Sequence, residues 1–396
     1  MRPSYWILGS IMRRLRIGIM CHSSLGGSAR IGTELACELA RRGHAVHLFT
    51  RTMPFGRLRR SQHLRVHRTR SSSAALAPGV LYREWGADEY ETQVSQIAQV
   101  ASGDGLDVLH YHYGEPFAHI AAIVRERLGA SRPVVVGTLH GSDVAGWDDG
   151  VAARAFRRAL ASADALTTVS HAYARLAASV LALTVPPLVI HNFVDLARFR
   201  PAPPVHPQER TNRWKPKLIH VSNFRPVKDS PSAARIFLEL RERVRAALWL
   251  VGDGPESLET RALLRESPFR RDVRFWGVRG DTATLLRQSR LMLVTSRAES
   301  FCLAALEAMA CAVPVLAPRV GGLSEVVRDG ETGHLFPPGR LDVAVDMAAA
   351  LLSDGLRYGA MSQAAAAWAR TFDQGRIVDR YEHLYYTLCA SRASTA

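Results

Sequence analysis

Paired cysteines are missing from this chain. Its cysteines, Cys21, Cys37, Cys302, Cys311 and Cys389, are odd in number, and no two form a CxxC pair. This argues against a disulfide framework or a zinc site and fits a reducing cytoplasm. Long apolar runs are also missing: none reaches the ~18 residues that a membrane span needs. The opening stretch MRPSYWILGSIMRR imitates a secretory leader poorly. Gly and Ser interrupt its apolar part, and basic residues follow it rather than precede it. Residues 1–12 read as a disordered extension, with Met12 a candidate start. Lysine is scarce. The second half holds only Lys215, Lys217 and Lys228, all at its beginning, which leaves none for a pyridoxal-dependent phosphorylase.

Acidic residues are outnumbered. Asp and Glu total 36 against 51 Lys and Arg, a formal net charge of +15 carried mostly by Arg. Such a balance favours anionic partners. The densest basic stretch, residues 57–70, has no interleaved aromatic residue and no nucleic-acid motif. It reads as a solvated face or a site for a small phosphorylated ligand, not as a nucleic-acid surface. With 396 residues, 47% hydrophobic and 22% charged, the chain has apolar material for two or three folded domains.

Residues 15–20 read as a buried strand, followed by a Gly/Ser loop at 23–28, a helix over 31–42 and a second strand at 46–50. Further short apolar runs lie at 108–111, 134–139, 165–169 and 188–190, several of them separated by helical patterns. Alternation of this kind predicts a doubly wound parallel sheet. Between Leu196 and Lys217 the prolines Pro201, Pro203, Pro204, Pro207 and Pro216 crowd together, which marks a linker over 201–216. The rhythm restarts with strands at 217–222, 246–251, 273–276, 292–295 and 313–317. A helix falls near 303–310, and the chain is mostly helical from 341 to 388. The expected organisation is α/β: a Rossmann-like unit over 13–200, a second over 217–372, and a C-terminal helix over 373–396 packing back on the first. Their strand ends would face a common cleft.

Five motifs fall at strand ends. Gly26-Gly27-Ser28 lets a ligand approach the backbone near a helix N-terminus, or is simply a tight turn. It is not GxGxxG, so dinucleotide binding is weakly supported. Arg225 and Lys228 could neutralise a diphosphate, or be two solvated charges. Residues 299–302 precede a helix whose free N–H groups suit a phosphate, with Glu307 one turn in, placed for a ribose diol. The bland alternative is Ser300 as N-cap and Glu307 on a solvated face. Thr138 to Asp143 puts His140 at a strand end, where it could position a substrate or be structural. In His110-Tyr111-His112-Tyr113, alternation places both histidines on one face, and no third metal ligand of matching spacing is visible.

From Arg16 to about Tyr385 the chain resembles retaining glycosyltransferases of family 4 with the GT-B fold. The most specific match is Glu299-Ser300-Phe301 through Glu307-Ala308-Met309-Ala310, then Val313-Pro314-Val315. Val251 to Pro255, Gly321 to Glu325 and Asp329 to Gly333 are also typical. Four stretches are similar to the branch that glycosylates L-malate in bacillithiol biosynthesis: Gly26 to Ser28 with Gly32 to Leu35, His110 to Tyr113, Thr138 to Asp143, and Val221 to Arg225 with Val227-Lys228.

The resemblance implies that Arg225 and Lys228 hold the donor diphosphate, Glu307 the ribose and Glu299 the donor sugar. His140 would lie beside the anomeric centre, so that His140, Arg225, Lys228 and Glu299 form the catalytic set. Gly27, Val278, Ser300, Phe301, Cys302 and Leu303 fall on the donor side. Gly26, Ser28, Arg30, Tyr113 and Thr138 fall on the acceptor side. Three departures stand out: Cys302 where the family usually has Gly, Ala29-Arg30 where small residues are usual, and a divergent stretch at 71–92.

The implied reaction moves GlcNAc from UDP-GlcNAc to L-malate with retention, without metal or other cofactor, in the cytoplasm. The partners are a nucleotide-sugar donor and a small polar acceptor; nucleic acid and an integral membrane segment are not expected, and a homodimer is admitted. Three other readings stay open. The same chemistry could S-glycosylate a low-molecular-weight thiol such as ergothioneine from a GDP-sugar, as in lincosamide-type antibiotic assembly. The chain could be a sugar-nucleotide epimerase or hydrolase. It could also be a binding protein that has lost catalysis.

Overall fold

The computed structural model describes residues 13–24, 26–54, 58–59, 61–69, 85–144, 147, 150–202 and 215–394. The expected extension at 1–12, most of the 201–216 linker and most of the divergent 71–92 stretch lie outside the described residues.

The first half forms one sheet from β1 (Arg16–Cys21), β2 (Ala45–Thr50), β3 (Leu64–Arg68), β4 (Val108–His112), β5 (Val134–Leu139), β6 (Ala165–Thr168) and β7 (Leu188–Val189). Its order is β3-β2-β1-β4-β5-β6-β7, and every pairing is parallel. Continuous apolar runs such as Arg16–Cys21 suit such strands, because helices cover both faces. Ile17, Ile19, Val46, Leu48, Val134 and Val136 point to one face, under helix Gly27–Arg41 and helix Gln374–Ala393. Met20, Phe49, Leu109, Tyr111, Val135 and Leu139 point to the other.

The second half repeats the plan with β8 (Lys217–Val221), β9 (Ala247–Val251), β10 (Val273–Gly277), β11 (Leu291–Leu293), β12 (Val315–Pro318) and β13 (Gly333–Phe336). Their order is β10-β9-β8-β11-β12-β13, again all parallel. Two strands escaped the sequence reading. β3 lies inside the basic 57–70 stretch, where alternating Arg and His suit a sheet edge with one exposed side. β13 lies at the end of the Asp329–Gly333 motif. The first helix also starts earlier than expected, at Gly27 rather than residue 31, so two residues of the Gly/Ser loop are its first turn.

The chain crosses between the units twice, and the crossings run side by side. The Val194 N–H donates to the Phe372 carbonyl at 2.9 Å, and the Gln374 N–H donates to the Val194 carbonyl at 3.1 Å. After the second crossing, Ile377, Val378, Tyr381 and Tyr385 bury against the first sheet. No helix among the described residues is long and apolar enough to cross a membrane.

Candidate active site

In a doubly wound sheet, the crevice that takes a ligand opens where neighbouring strands send their connections to opposite faces. Here those points are β1/β4 and β8/β11. The loops after these strands face each other across a cavity of about 1100 Å³. All the candidate site residues line it except Thr138.

On the second unit's rim, the loops after β8 and β11 are tied together. Thr295 Oγ1 donates to the carbonyls of Lys228 (3.0 Å) and Asp229 (2.8 Å). Lys228 Nζ donates to Glu299 Oε1 at 2.6 Å, and Ser296 Oγ donates to the same oxygen at 2.8 Å. Burial works against the Lys228 charge, but Glu299 outweighs it and the pKa is raised. The Glu299–Ser300 backbone rests on Gly321 and Gly322. A Cβ on Gly321 would lie 2.1 Å from the Glu299 carbonyl oxygen, and one on Gly322 would lie 2.0 Å from that of Ser300. Only glycine allows this approach.

Cys302 follows at φ +80°, a left-handed conformation at the N-cap of helix Leu303–Ala310. An L side chain there is strained, and the family's usual Gly would not be. Burial raises the Cys302 thiol well above its ordinary value, and Glu299 beside it adds to the rise. The group is a neutral thiol facing the cleft.

On the first unit's rim, Asp143 organises the loop after β5. Its carboxylate accepts from the N–H groups of His140 (3.1 Å), Gly141 (2.6 Å) and Gly114 (2.9 Å). Tyr113 O–H and Ser142 Oγ are 2.9 Å apart. Behind His140 runs a line of imidazoles. His140 Nε2 meets His112 Nδ1 at 2.9 Å, and the ring of His112 lies 4.3 Å from that of His110. His110 in turn bonds Tyr385 O–H (2.6 Å) and Thr138 Oγ1 (2.7 Å). Burial depresses all of them, His110 and His140 to about 3. They are neutral at neutral pH, so His140 enters any reaction as an uncharged donor or acceptor.

Three contacts join the rims. Arg30 is ion-paired with Glu307 of the second unit and with Glu34, four residues along its own helix, at 2.8 Å. Ser300 Oγ donates to the His140 carbonyl. Gly27 faces Leu303, whose Cδ1 lies 3.2 Å from where a Cβ on Gly27 would stand. Burial raises the Glu307 pKa, and Arg30 opposes the rise only in part.

Several expectations need correcting. Thr138 does not line the cleft: it points into the sheet face covered by helix Gln374–Ala393 and bonds His110 and Thr167. Its side chain shares a face with that of His140, two residues on, but Thr138 sits within β5 under that helix, whereas His140 lies past the strand's end and reaches the rim. Ser300 is not the N-cap, and Glu307 is buried rather than solvated. Arg30, expected on the acceptor side, pairs across the cleft with Glu307, expected on the donor side. His110 and His112 do share a face, opposite Tyr111 and Tyr113. The sequence reading gave no role to Asp143 or to the His112–His140 pairing. A buried Asp two residues after the Gly of a His-Gly turn was the available signal. Among the described residues, the one His/Cys/Asp/Glu group placed to hold a metal is His171, His191 and Glu325, outside this cleft.

Comparison with known proteins agrees with this architecture. Residues 25–198 match the family model for Glycosyltransferase Family 4, and residues 215–354 the model for Glycosyl transferases group 1. The chain is 33% identical to N-acetyl-alpha-D-glucosaminyl L-malate synthase of Bacillus anthracis over 94% of this chain and 97% of that protein. Among solved structures, sucrose-phosphate synthase of Thermosynechococcus elongatus superposes with a TM-score of 0.76, at 23% identity, over 96% of this chain and all of that one. HepE of Anabaena in complex with UDP and glucose superposes with a TM-score of 0.74, at 18% identity, over 94% of this chain and 99% of that one.

Proposed function

This chain belongs to glycosyltransferase family 4, and from that premise we propose that it transfers GlcNAc from UDP-GlcNAc to L-malate with retention at the anomeric carbon. Glycosyltransferase chemistry itself follows from the family and the GT-B fold. The observation that carries the finer reading is the likeness to the malate synthase, which runs through both units and nearly both full lengths.

In this reading the donor diphosphate lies between Arg225, Lys228 and the start of helix Leu303–Ala310. Two cations and a ring of free backbone N–H groups stabilise the negative charge that grows as the sugar–phosphate bond breaks. Glu299 orients both Lys228 and a sugar hydroxyl. The acceptor hydroxyl attacks from the same face, and its proton passes to the departing phosphate oxygen. One C–O bond forms as one breaks, and the nucleoside diphosphate leaves with the proton. Charge compensation comes from side chains, so the reading includes no metal. Closure of the rims through Ser300 and Leu303 excludes water and limits hydrolysis.

The test is mass spectrometry of products from UDP-GlcNAc with and without L-malate, beside tubes holding a GDP-sugar and low-molecular-weight thiols. A GlcNAc-malate adduct formed only with malate is expected. Sugar transfer to a thiol with none to malate would overturn the acceptor. Nucleotide release without any adduct would overturn transfer.

A further inference from the structure

A second cavity, of about 460 Å³, lies where the two units meet and shares no lining residue with the active-site cleft. Glu325 enters it from the second unit. Its carboxylate accepts from the backbone N–H groups of His171 (2.8 Å) and Ala172 (2.7 Å), at the start of helix His171–Val180 in the first unit. His191, also from the first unit, brings Nε2 within 3.3 Å of Glu325 Oε2. The ring of His171 stands 5.9 Å from that of His191. One ligating atom from each of the three side chains lies within 4.8 Å of the other two.

We propose that His171, His191 and Glu325 form a divalent metal site, suited to Zn2+, that clasps the two units together.

The donor set is two imidazoles and one carboxylate, the borderline nitrogen and oxygen ligands that zinc takes. Two ligands at zinc bond lengths on a tetrahedral ion stand about 3.3 Å apart. His191 and Glu325 already have that separation, and His171 is exposed, so its ring can turn to complete the set. The two backbone N–H groups on Glu325 supply the outer hydrogen bonds that usually orient a ligating carboxylate. Helix capping accounts for Glu325 alone. It leaves unexplained why two histidines from separate segments flank the same carboxylate.

The fourth position opens into the cavity, where Arg376 and Arg380 stand. Arg380 is fixed by the Val189 carbonyl at 2.7 Å. Two guanidiniums disfavour a bare dication. They favour an ion that carries hydroxide or another small anion in its fourth position. Because the ligands come from both units, a bound ion opposes their separation.

The test uses the full chain, stripped with a chelator and titrated with zinc chloride by calorimetry, then with cobalt chloride by absorption. One equivalent of zinc should bind with a dissociation constant of micromolar or below and raise the melting temperature. Cobalt should give the intense visible bands of tetrahedral coordination. His171→Ala should weaken zinc binding at least tenfold and lose the cobalt bands, with its metal-free melting temperature unchanged because the side chain is exposed. His191→Ala should weaken binding as much. Zinc bound as tightly by His171→Ala as by the parent chain would place the ion elsewhere, for instance at the cleft histidines, and overturn the proposal. The absence of one-equivalent binding up to millimolar zinc would also overturn it.

Discussion

Arg30 and Glu307 form an ion pair that spans the cleft, one residue from each unit. Glu307 is buried and Arg30 half-buried, and Glu34 holds the guanidinium from the other side at 2.8 Å. Glu307 is also the carboxylate proposed to bind the donor ribose. If Glu307 binds the ribose as proposed, the pair that joins the rims engages that same carboxylate, and donor binding and the Arg30 contact compete for one side chain.

Removing Arg30 exposes this coupling. Arg30→Ala leaves Glu307 buried without its cation, a change that costs about 3 kcal/mol when a pair is fully buried and less at a cleft edge. Denaturant unfolding should show a loss of about 1–3 kcal/mol, and Arg30→Ala/Glu307→Gln should recover most of it. A loss in the double variant as large as in Arg30→Ala would mean that the loss does not come from leaving the Glu307 carboxylate unpaired.

Lys228 and Arg225 are predicted to act on the transition state. Lys228→Ala or Arg225→Ala should lower kcat on the order of 100-fold, the usual loss when one stabilising donor is removed. Circular dichroism would first confirm that the variants fold. Unchanged turnover in a folded variant would take that residue out of the mechanism.

Cys302 sits at φ +80°, where glycine is unstrained. Cys302→Gly should keep its turnover and gain about 1 kcal/mol of unfolding free energy, somewhat offset by the greater freedom of glycine in the unfolded chain. A clear loss of donor affinity would show that the thiol beside Glu299 has a part in binding.

The imidazole line makes stability fall with acid. His110 and His140 are depressed to about 3 and His112 well below its usual value, in each case chiefly by burial. Unfolded histidine titrates near 6.5. Between these values the unfolded chain binds protons that the folded chain refuses. The stabilisation is full above about pH 6.5 and drains away as pH falls toward 3. Each such histidine contributes up to about 1.4 kcal/mol per pH unit in that window. Calorimetric melting at pH 7.5, 6 and 5 should show a steady decline; a flat profile over that range would mean that the line is not held neutral.

The fold was largely legible because parallel strands with both faces covered leave uninterrupted apolar runs, and most such runs in this chain are strands. β3 was hidden because an edge strand with an exposed side reads as charge: Arg65 and His67 alternate with Leu64 and Val66, and Arg68 follows. β13 was hidden because Gly333 opens it and looks like part of a turn. At the site, the rim residues were visible as motifs at strand ends. Their partners across the cleft were not. Nothing local in the sequence couples Arg30 to Glu307 or Ser300 to His140, since those pairings are set by how the units dock. Thr138 was misplaced for a simpler reason: it shares a face with His140, and only its place within the strand, two residues short of His140, puts it in the core rather than the cleft.

Helix Gln374–Ala393 belongs in space to the first sheet but in sequence to the end of the chain. During synthesis, helix Gly27–Arg41 covers the β1 part of that face early, but the part around β5, where helix Gln374–Ala393 packs, stays uncovered while the whole second unit is made. Only helix Gln374–Ala393 closes it. The first unit to leave the ribosome is thus the last to be finished, and a nascent chain halted before Gln374 would present an open apolar strip beside helix Gly27–Arg41 to whatever chaperones are at hand.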